Sequence, residues 1–357
     1  MSPHSYHYPK SDVKKHRLSY LLIICALLLS NCAQNDVVVP GLDDPKPREV
    51  PISFEGSYVN SATHNANNLC AHHITMGVWG WCNGMWDNNT LLLNNHTISY
   101  IQNSSSWTYN PTLNWTKGGH YTFFAYAPHQ QQTDASVSID TQTKMLHINN
   151  VVLHGHNLQD TPTDSLKESF FASPDVDWMI DRNGHFAQEA GSMNIVFTLQ
   201  HILSKLNIRI LACNKLMTSS CIAAITADSI IVSALPSQGD FSQQLTDTPE
   251  LSTSNDETIE EWTTHSPHLD IKGTQSGNIT NKQTYVIESL LFPHTTSTQS
   301  TITIYYTFHY SDGQKEECRY RMPLNEAFER FVSGHSYTIT YTIYPDHIDY
   351  LTNIIEW

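Results

Sequence analysis

Positive charge is scarce in this chain of 357 residues, which carries 19 lysines and arginines against 34 aspartates and glutamates. Nucleic-acid binding depends on neutralising phosphates with lysine and arginine, so this balance argues against a nucleic-acid partner. Charge of either sign is low as well, at 15% of residues. Thr, Ser, Asn and Gln take its place in β-like segments, which is typical of an extracellular β protein.

Motifs for catalysis and nucleotide binding are also missing. The sequence contains no Gly-x-Ser-x-Gly, which places a serine nucleophile on a tight turn. It contains neither Gly-x-x-x-x-Gly-Lys nor Gly-x-Gly-x-x-Gly, the loops that cradle phosphates. We therefore expect no enzymatic activity and no cofactor.

Cysteines are few, and five remain once Cys25 and Cys32 are assigned to the N-terminal segment. An odd number cannot pair completely. In an exported chain a disulfide could join Cys70 to Cys82 or Cys213 to Cys221, but sequence alone does not fix connectivity. The disulfide state, which also concerns Cys318, therefore stays open.

Histidine is abundant, at 20 residues, and invites a metal hypothesis. The densest group of possible ligands is His64, Cys70, His72, His73 and Cys82. Its spacing matches no structural zinc module, and adjacent residues on a strand point to opposite faces. The acidic stretch 243–261 lacks a calcium-binding loop pattern. We expect polar surface histidines, a solvated acidic loop and no metal site.

No apolar run is long enough to span a bilayer permanently. The longest, Leu18 to Leu29, has twelve residues and follows a basic region with Lys14 and Arg17, which predicts a signal peptide over residues 1–31. It ends in Leu29-Ser30-Asn31-Cys32, similar to the lipobox of bacterial lipoproteins, whose cysteine is acylated and becomes the new N-terminus. Lipid on Cys32 would tether the chain to a membrane. The alternative is an uncleaved apolar anchor.

Residues 32–50 contain three prolines and no sustained apolar period, which predicts a tether between the lipid and the folded body. Arg48 is the only arginine between the signal peptide and Arg182. It is either an ordinary polar linker residue or a site for a trypsin-like protease.

From Ile52 onwards the pattern is one of short strands separated by turn signals, with a change of region near Met193 to Ile210. Ile195, Phe197 and Leu199 alternate with polar residues, and a second alternation begins at Leu206 after a short break. The crossover is too short for a helix. We therefore predict an all-β chain with one β-sandwich over 51–205 and another over 206–357.

Several motifs carry a family resemblance. They are, in order, Trp107 and Trp115 followed by Gly119 and Tyr121–Pro128, then Val176–Met179, Ile195–Leu206, Arg319–Leu324, Phe331–Tyr341 with Gly334 and Tyr337 at a turn, and the closing Ile354–Trp357. In this order and spacing they resemble the fimbrillin-like family of Bacteroidetes cell-surface lipoproteins. The resemblance spans residues 52–357.

This resemblance implies a fold of two tandem transthyretin-like β-sandwich domains and a structural or accessory role in fimbriae on the outer membrane. In the family an arginine-specific protease removes the first strand, and a neighbouring subunit adds a strand in its place. Arg48 matches the position of that cleavage site. Val37 to Val39 is short for a strand to be removed, and the chain stops at Trp357 with no obvious added strand. Both features favour an anchor, a tip protein or a non-polymerising surface member over a shaft subunit.

A second hypothesis is a surface glycan-binding lipoprotein of a polysaccharide-uptake system. Tryptophan faces stack on sugar rings, but most tryptophans here lie in or beside predicted strands and are expected in the core. Trp86, in a turn region, is the one expected to be exposed and to contact glycan. An adhesin could also meet a host surface protein. Gln34-Asn35-Asp36 loosely resembles the export signal that places such lipoproteins on the cell surface.

Overall fold

The computed structural model describes residues 50–58, 75–84, 86–116, 118–129, 134–160, 175–181, 185–187, 194–245, 260–265, 268–274 and 277–357. The predicted signal peptide, Cys32 and the predicted tether up to residue 49, which includes Arg48, lie outside this part of the chain. Among the described residues, no helix has the length and apolar character needed to cross a membrane. The fold is all-β, as the strand patterns predict.

In the described part of the chain, ten strands precede the crossover near residue 202 and twelve follow it. The first ten are β1 (Phe54–Tyr58), β2 (Thr75–Cys82), β3 (Leu91–Ile101), β4 (Ser106–Thr108), β5 (Tyr121–Ala127), β6 (Ser136–Asp140), β7 (Met145–Val152), β8 (Met179–Ile180), β9 (His185–Ala187) and β10 (Ile195–His201).

Twelve strands follow the crossover. They are β11 (Ser204–Ala212), β12 (Ile222–Leu235), β13 (Gln238–Gln244), β14 (Glu260–His265), β15 (Leu269–Gly273), β16 (Thr284–Leu291), β17 (His294–Thr295), β18 (Thr301–Tyr310), β19 (Lys315–Pro323), β20 (Arg330–Phe331), β21 (His335–Ile343) and β22 (Ile348–Glu356). The helical elements among the described residues are short: one α-helix at Asn214–Met217, and 3-10 turns at Gln102–Ser104, Leu158–Asp160 and Leu324–Glu326.

Eight of the first ten strands form one sheet, which we call the large sheet. Its order is β1-β10-β8-β5-β2-β3-β4, and β9 also pairs with β5. Edge strand β1 runs parallel to β10, with Phe54 opposite Ile195. Both faces of the large sheet are buried, which explains the nearly continuous aromatic run of β5: Phe123 and Phe124 point to opposite faces and pack into different core clusters.

Two four-stranded sheets come entirely from the later strands. One has the order β16-β11-β21-β22 and is called the β22 sheet; the other has the order β15-β12-β18-β19 and is called the β19 sheet. The apolar residues on their inner faces, including Ile208, Ile304 and Ile339, are fully buried in one cluster. Burying each such side chain contributes about 1.5 to 3 kcal/mol.

A further four-stranded sheet, β14-β13-β7-β6, draws strands from both sides of the crossover. In its central pairing, Met145 of β7 lies opposite Gln244 of β13. We call it the shared sheet. The predicted boundary at 205/206 falls inside β11, and the division into two tandem domains stays a prediction.

The crossover itself matches the sequence pattern closely. In β10, Ile195, Phe197 and Leu199 are buried while the residues between them are more exposed. Only Ile202 and Leu203 separate β10 from β11, so the chain leaves the large sheet and enters the β22 sheet without a helix.

Two long strands have interrupted apolar patterns. Leu91–Leu93 and Ile98–Ile101 belong to one strand, β3, and the segments at 222–225 and 229–232 belong to β12. Register shifts in the pairing of both strands account for the interruptions. The segment that follows β19 is a 3-10 turn, and β20 comes after it.

Candidate assembly site

The segment that follows Arg48 is fixed to the body from its first described residue. The carbonyl oxygen of Val50 accepts a hydrogen bond from the Trp115 amide, and the Ile52 amide donates to the Leu113 carbonyl, each at 2.8 Å. The hydroxyl of Tyr109 donates to the Ile52 carbonyl at 3.0 Å. The loop that ends β4 therefore positions the chain just before β1 begins.

Aromatic packing then holds β1 in the large sheet. Phe54 is 2% exposed, and its ring centroid lies 5.2 Å from Tyr109, 5.3 Å from Phe123 and 5.8 Å from Phe197. The first two contacts are edge-to-face, a geometry worth about 0.5 to 1.5 kcal/mol beyond area burial. Within the described residues β1 pairs only with β10, so its other edge lies at the margin of the sheet.

A buried contact between an aspartate and a histidine lies at the crossover. Asp177 Oδ2 is 2.9 Å from His201 Nδ1, and both side chains are 3% exposed. The His201 ring stacks on Trp357, with centroids 4.0 Å apart and planes 5° apart. The Ile202 carbonyl accepts hydrogen bonds from Trp262 Nε1 and Ser333 Oγ. The crossover is thus held by residues from widely separated parts of the chain.

The turn around Gly334 has the geometry expected from its aromatic, Gly and Tyr spacing. Gly334 adopts a φ of +67°, and its amide donates to the Leu203 carbonyl at 2.9 Å. The Tyr337 hydroxyl accepts the Val332 amide at 2.9 Å, and its ring lies 4.6 Å from Phe331. The motif therefore closes a loop against the crossover.

Trp86 is less exposed than its position in a turn predicts. Its ring packs 5.4 Å from Trp81 and stacks 6.0 Å from Phe124, at the margin of the larger core cluster. Burial is partial, so part of the indole remains accessible. Contact with glycan stays a prediction.

Cys82, Cys213, Cys221 and Cys318 carry free thiols in the structure, and Cys70 lies outside the described residues. His64, His72 and His73 of the candidate metal group also lie outside them. Within the described part, no three His, Cys, Asp or Glu side chains are grouped as metal ligands would be.

Burial in the core displaces the pKa values of two tyrosines. Burial raises the pKa of Tyr341 well above 10, and its hydroxyl lies 3.3 Å from Met322 Sδ. Burial, followed by the neighbouring Cys318, raises the pKa of Tyr306 to about 12. Both shifts favour the neutral phenol, which suits a structural role.

Sequence reasoning missed one residue that joins the strands before the crossover to those after it. Asn157 is 3% exposed and donates through Nδ2 to the Val286 carbonyl at 2.9 Å. Its Oδ1 accepts the Glu288 amide at 3.0 Å. A single asparagine in a polar loop gives no local signal of this kind, because its partners lie about 130 residues away.

Comparison with known proteins bears on the family. The family described as fimbrillin-like matches residues 67–356. A fimbrial protein from Bacteroides vulgatus is similar in fold, with a TM-score of 0.55 at 15% identity over 85% of this chain and 99% of that chain.

The tip fimbrial protein Mfa3 from Porphyromonas gingivalis, solved with a C-terminal truncation, gives a TM-score of 0.41 at 11% identity over 86% of this chain and 98% of that chain. No curated protein matches the sequence. The family match covers most of the chain and includes the motifs that carry the resemblance, from Trp107 to Ile354. The chain belongs to the fimbrillin-like family.

Proposed function

We propose that this protein is a structural or adhesive component of a fimbria, joined to other fimbrial subunits by strand addition and tethered to the outer membrane through lipid on Cys32. The observation that carries the proposal is the fimbrillin-like family match over residues 67–356. An all-β body with sheet edges suits this role, since an exposed edge offers unpaired main-chain groups to a strand from a neighbour.

The edge of β1 is the best candidate for the acceptor. Cleavage after Arg48 would make Glu49 the new N-terminus, one residue before Val50. The hydrogen bonds of Val50 and Ile52 to the loop at 113–115 would remain, so β1 would keep its place beside β10. A cut at this position therefore removes the tether without unfolding the large sheet.

Digestion of the mature protein with an arginine-specific protease tests the acceptor proposal. We expect one nick near residue 48, with a fragment that begins at Glu49 and keeps its thermal transition. The matched control is Arg48→Lys, which preserves the charge but not the cleavage site. A wild-type chain that stays uncut under these conditions would overturn the cleavage proposal.

The same digest separates the possible roles within a fimbria. SDS-resistant ladders that form after the nick, and not in Arg48→Lys, would assign a shaft role. A clean nick without ladders would count against a shaft role. The short segment Val37 to Val39 before the cut favours the second result.

Lipidation is tested by mass spectrometry of the mature N-terminus and by fractionation of cell envelopes. We expect acyl chains on Cys32 and complete loss of membrane association in Cys32→Ala. Cys25→Ala is the matched control, because Cys25 lies inside the predicted signal peptide and should be dispensable. Protease treatment of intact cells then tests surface exposure. An unacylated Cys32 on membrane-bound protein would refute the lipid tether.

A further inference from the structure

The outer edges of the β22 and β19 sheets differ in chemistry. Edge strand β19 carries five charges, at Lys315, Glu316, Glu317, Arg319 and Arg321. Charged side chains on an edge oppose pairing with another sheet, and proteins use them for that purpose. Edge strand β22 has the sequence Ile-Asp-Tyr-Leu-Thr-Asn-Ile-Ile-Glu, with no charge between Asp349 and Glu356.

Large apolar side chains on β22 are unusually exposed. Leu351 is 75% exposed, Ile354 52% and Ile355 46%, the three highest values among the described large hydrophobic residues. All three lie within five residues of one strand. Isolated exposed apolar residues are common, but a group of them on a long, uncharged edge is a site of association.

Among the described strands, β22 is paired on one side only. One side pairs with β21, from Ile348 opposite Ile343 to Glu356 opposite His335. Within the described residues no strand pairs with the other side. In an antiparallel ladder, alternate residues direct their N–H and C=O groups to each neighbour, so the outer side presents a regular row of donors and acceptors.

We propose that a second copy of this chain pairs with β22 in antiparallel orientation, about a twofold axis at Asn353. Leu351 then lies opposite the partner's Ile355, and Asn353 lies opposite Asn353 of the partner subunit. Thr352 lies opposite the partner's Ile354, and Tyr350 opposite the partner's Glu356. The two β22 sheets become one continuous eight-stranded sheet.

The sequence of β22 is complementary to itself in antiparallel pairing, which favours a second copy of this chain as the binding partner. The twofold register covers both Leu351 and Ile355 in each chain, and it places no acidic residue opposite another. A register centred on Thr352 instead sets Leu351 opposite an asparagine and leaves the apolar residues unmatched. A twofold contact also consumes both edges, giving a closed dimer and not an open polymer.

This contact does not involve the β1 edge, Arg48 or the lipid. Its test is therefore separate from the test of the proposed fimbrial role. It buries one strand edge and a few side chains, each apolar cross-strand pair contributing about 0.2 to 1 kcal/mol. The dimer is therefore concentration-dependent in solution.

Cysteine trapping tests the register directly. Directly opposite residues have Cβ atoms about 4.5 to 5.5 Å apart, whereas diagonal neighbours are about 7 to 8 Å apart. Mild oxidation of Asn353→Cys should thus give a disulfide-linked dimer on non-reducing gels. The matched control, Thr352→Cys, places its thiols in the diagonal relation and should give at least fivefold less. Mature protein purified in detergent is used for both variants.

Light scattering across a concentration series supplies the second measurement. Leu351→Lys should weaken association at least tenfold while leaving the thermal midpoint unchanged, since Leu351 is largely exposed in the single chain. Both cysteine variants are made in a Cys221→Ser background, which limits unrelated crosslinks because Cys221 is exposed. Equal trapping of Asn353→Cys and Thr352→Cys, or an unchanged dimer in Leu351→Lys, would overturn the proposal.

Discussion

The large sheet and the two sheets formed after the crossover bury their interiors with different side chains. One core cluster of the large sheet is built on the rings of Phe54, Tyr121, Phe123 and Phe197. Between the β22 and β19 sheets the interior is mainly isoleucine, leucine and valine. Rings need space and defined geometry, whereas branched aliphatic residues fill a pleated surface evenly.

Glycines show what each interior requires. In the β2–β5 pairing, Gly77 lies opposite Tyr126 and Gly80 opposite Phe123. A Cβ at Gly77 would collide with the Tyr126 ring. In the aliphatic region a Cβ at Gly273 would instead collide with the Val286 carbonyl oxygen. The aromatic sheet thus uses glycine to admit a ring, and the aliphatic one uses it to admit a neighbouring main chain.

The largest expected effect is that of Gly273→Ala. Main chain in the middle of β16 cannot move aside as a side chain can, so we expect a loss of about 3 kcal/mol or more, at or beyond the usual range for overpacking. Urea unfolding measures it. Gly84→Ala is the control, because its nearest contact is the Thr90 side chain at 3.3 Å. Equal losses in the two variants would contradict the distinction.

Next in size is Asn157→Asp, which tests whether the two interiors unfold together. The carboxylate cannot donate to the Val286 carbonyl, and breaking this buried network should cost about 2 to 3 kcal/mol. We expect the fluorescence transition, dominated by the tryptophans before the crossover, to separate from the circular dichroism transition. Asn149→Asp, on the surface of β7, is the control. Coincident transitions in Asn157→Asp would show that other contacts couple the regions.

Gly77→Ala should cost less, about 1 to 3 kcal/mol, because its obstacle is a side chain. Tyr126 is nevertheless confined by Trp79, Trp178 and its 2.9 Å hydrogen bond to Asn95 Oδ1. The double variant Gly77→Ala/Tyr126→Leu should be more stable than the sum of the single losses implies, as measured in a double-mutant cycle. If the two losses of stability simply add, the Tyr126 ring is not what requires glycine at position 77.

The smallest expected effect is on the pH dependence of thermal stability. Burial lowers the pKa of His294 below its ordinary value of 6.5, and Nε2 is buried with no hydrogen-bond partner among the described residues. The neutral form is favoured in the fold, so this contribution to stability is complete above pH 6.5 and is lost as pH falls through the lowered pKa. Melting temperatures between pH 7.5 and 5 should fall less in His294→Phe than in wild type. An identical pH profile would exclude His294 as a source of acid sensitivity.

Local periodicity predicts much of the fold, because β10, β11, β16 and β18 alternate or form continuous apolar runs. Local periodicity does not predict strand β13, because its buried positions include Gly239 and Gln243, which are not large apolar residues. Local periodicity does not predict which strands pair either. The sequence around β7 does not identify β13 as its neighbour, and the sequence around β1 does not identify β10. The candidate site also has a part that the sequence predicts and a part that it does not. The Gly334 turn follows from its motif, whereas the contact between Asp177 and His201 depends on tertiary packing.

The parallel pairing of β1 with β10 and of β11 with β21 has a kinetic consequence. Side-chain contacts beside these pairings join residues 141 and 128 positions apart, as at Ser53 with Asn194 and Ser204 with Val332. Contacts this distant in sequence give a high contact order, which places folding in the range of milliseconds to seconds or slower. Unpaired strands would persist for that time before the fold is complete, so a holdase that shields them should reduce aggregation during refolding.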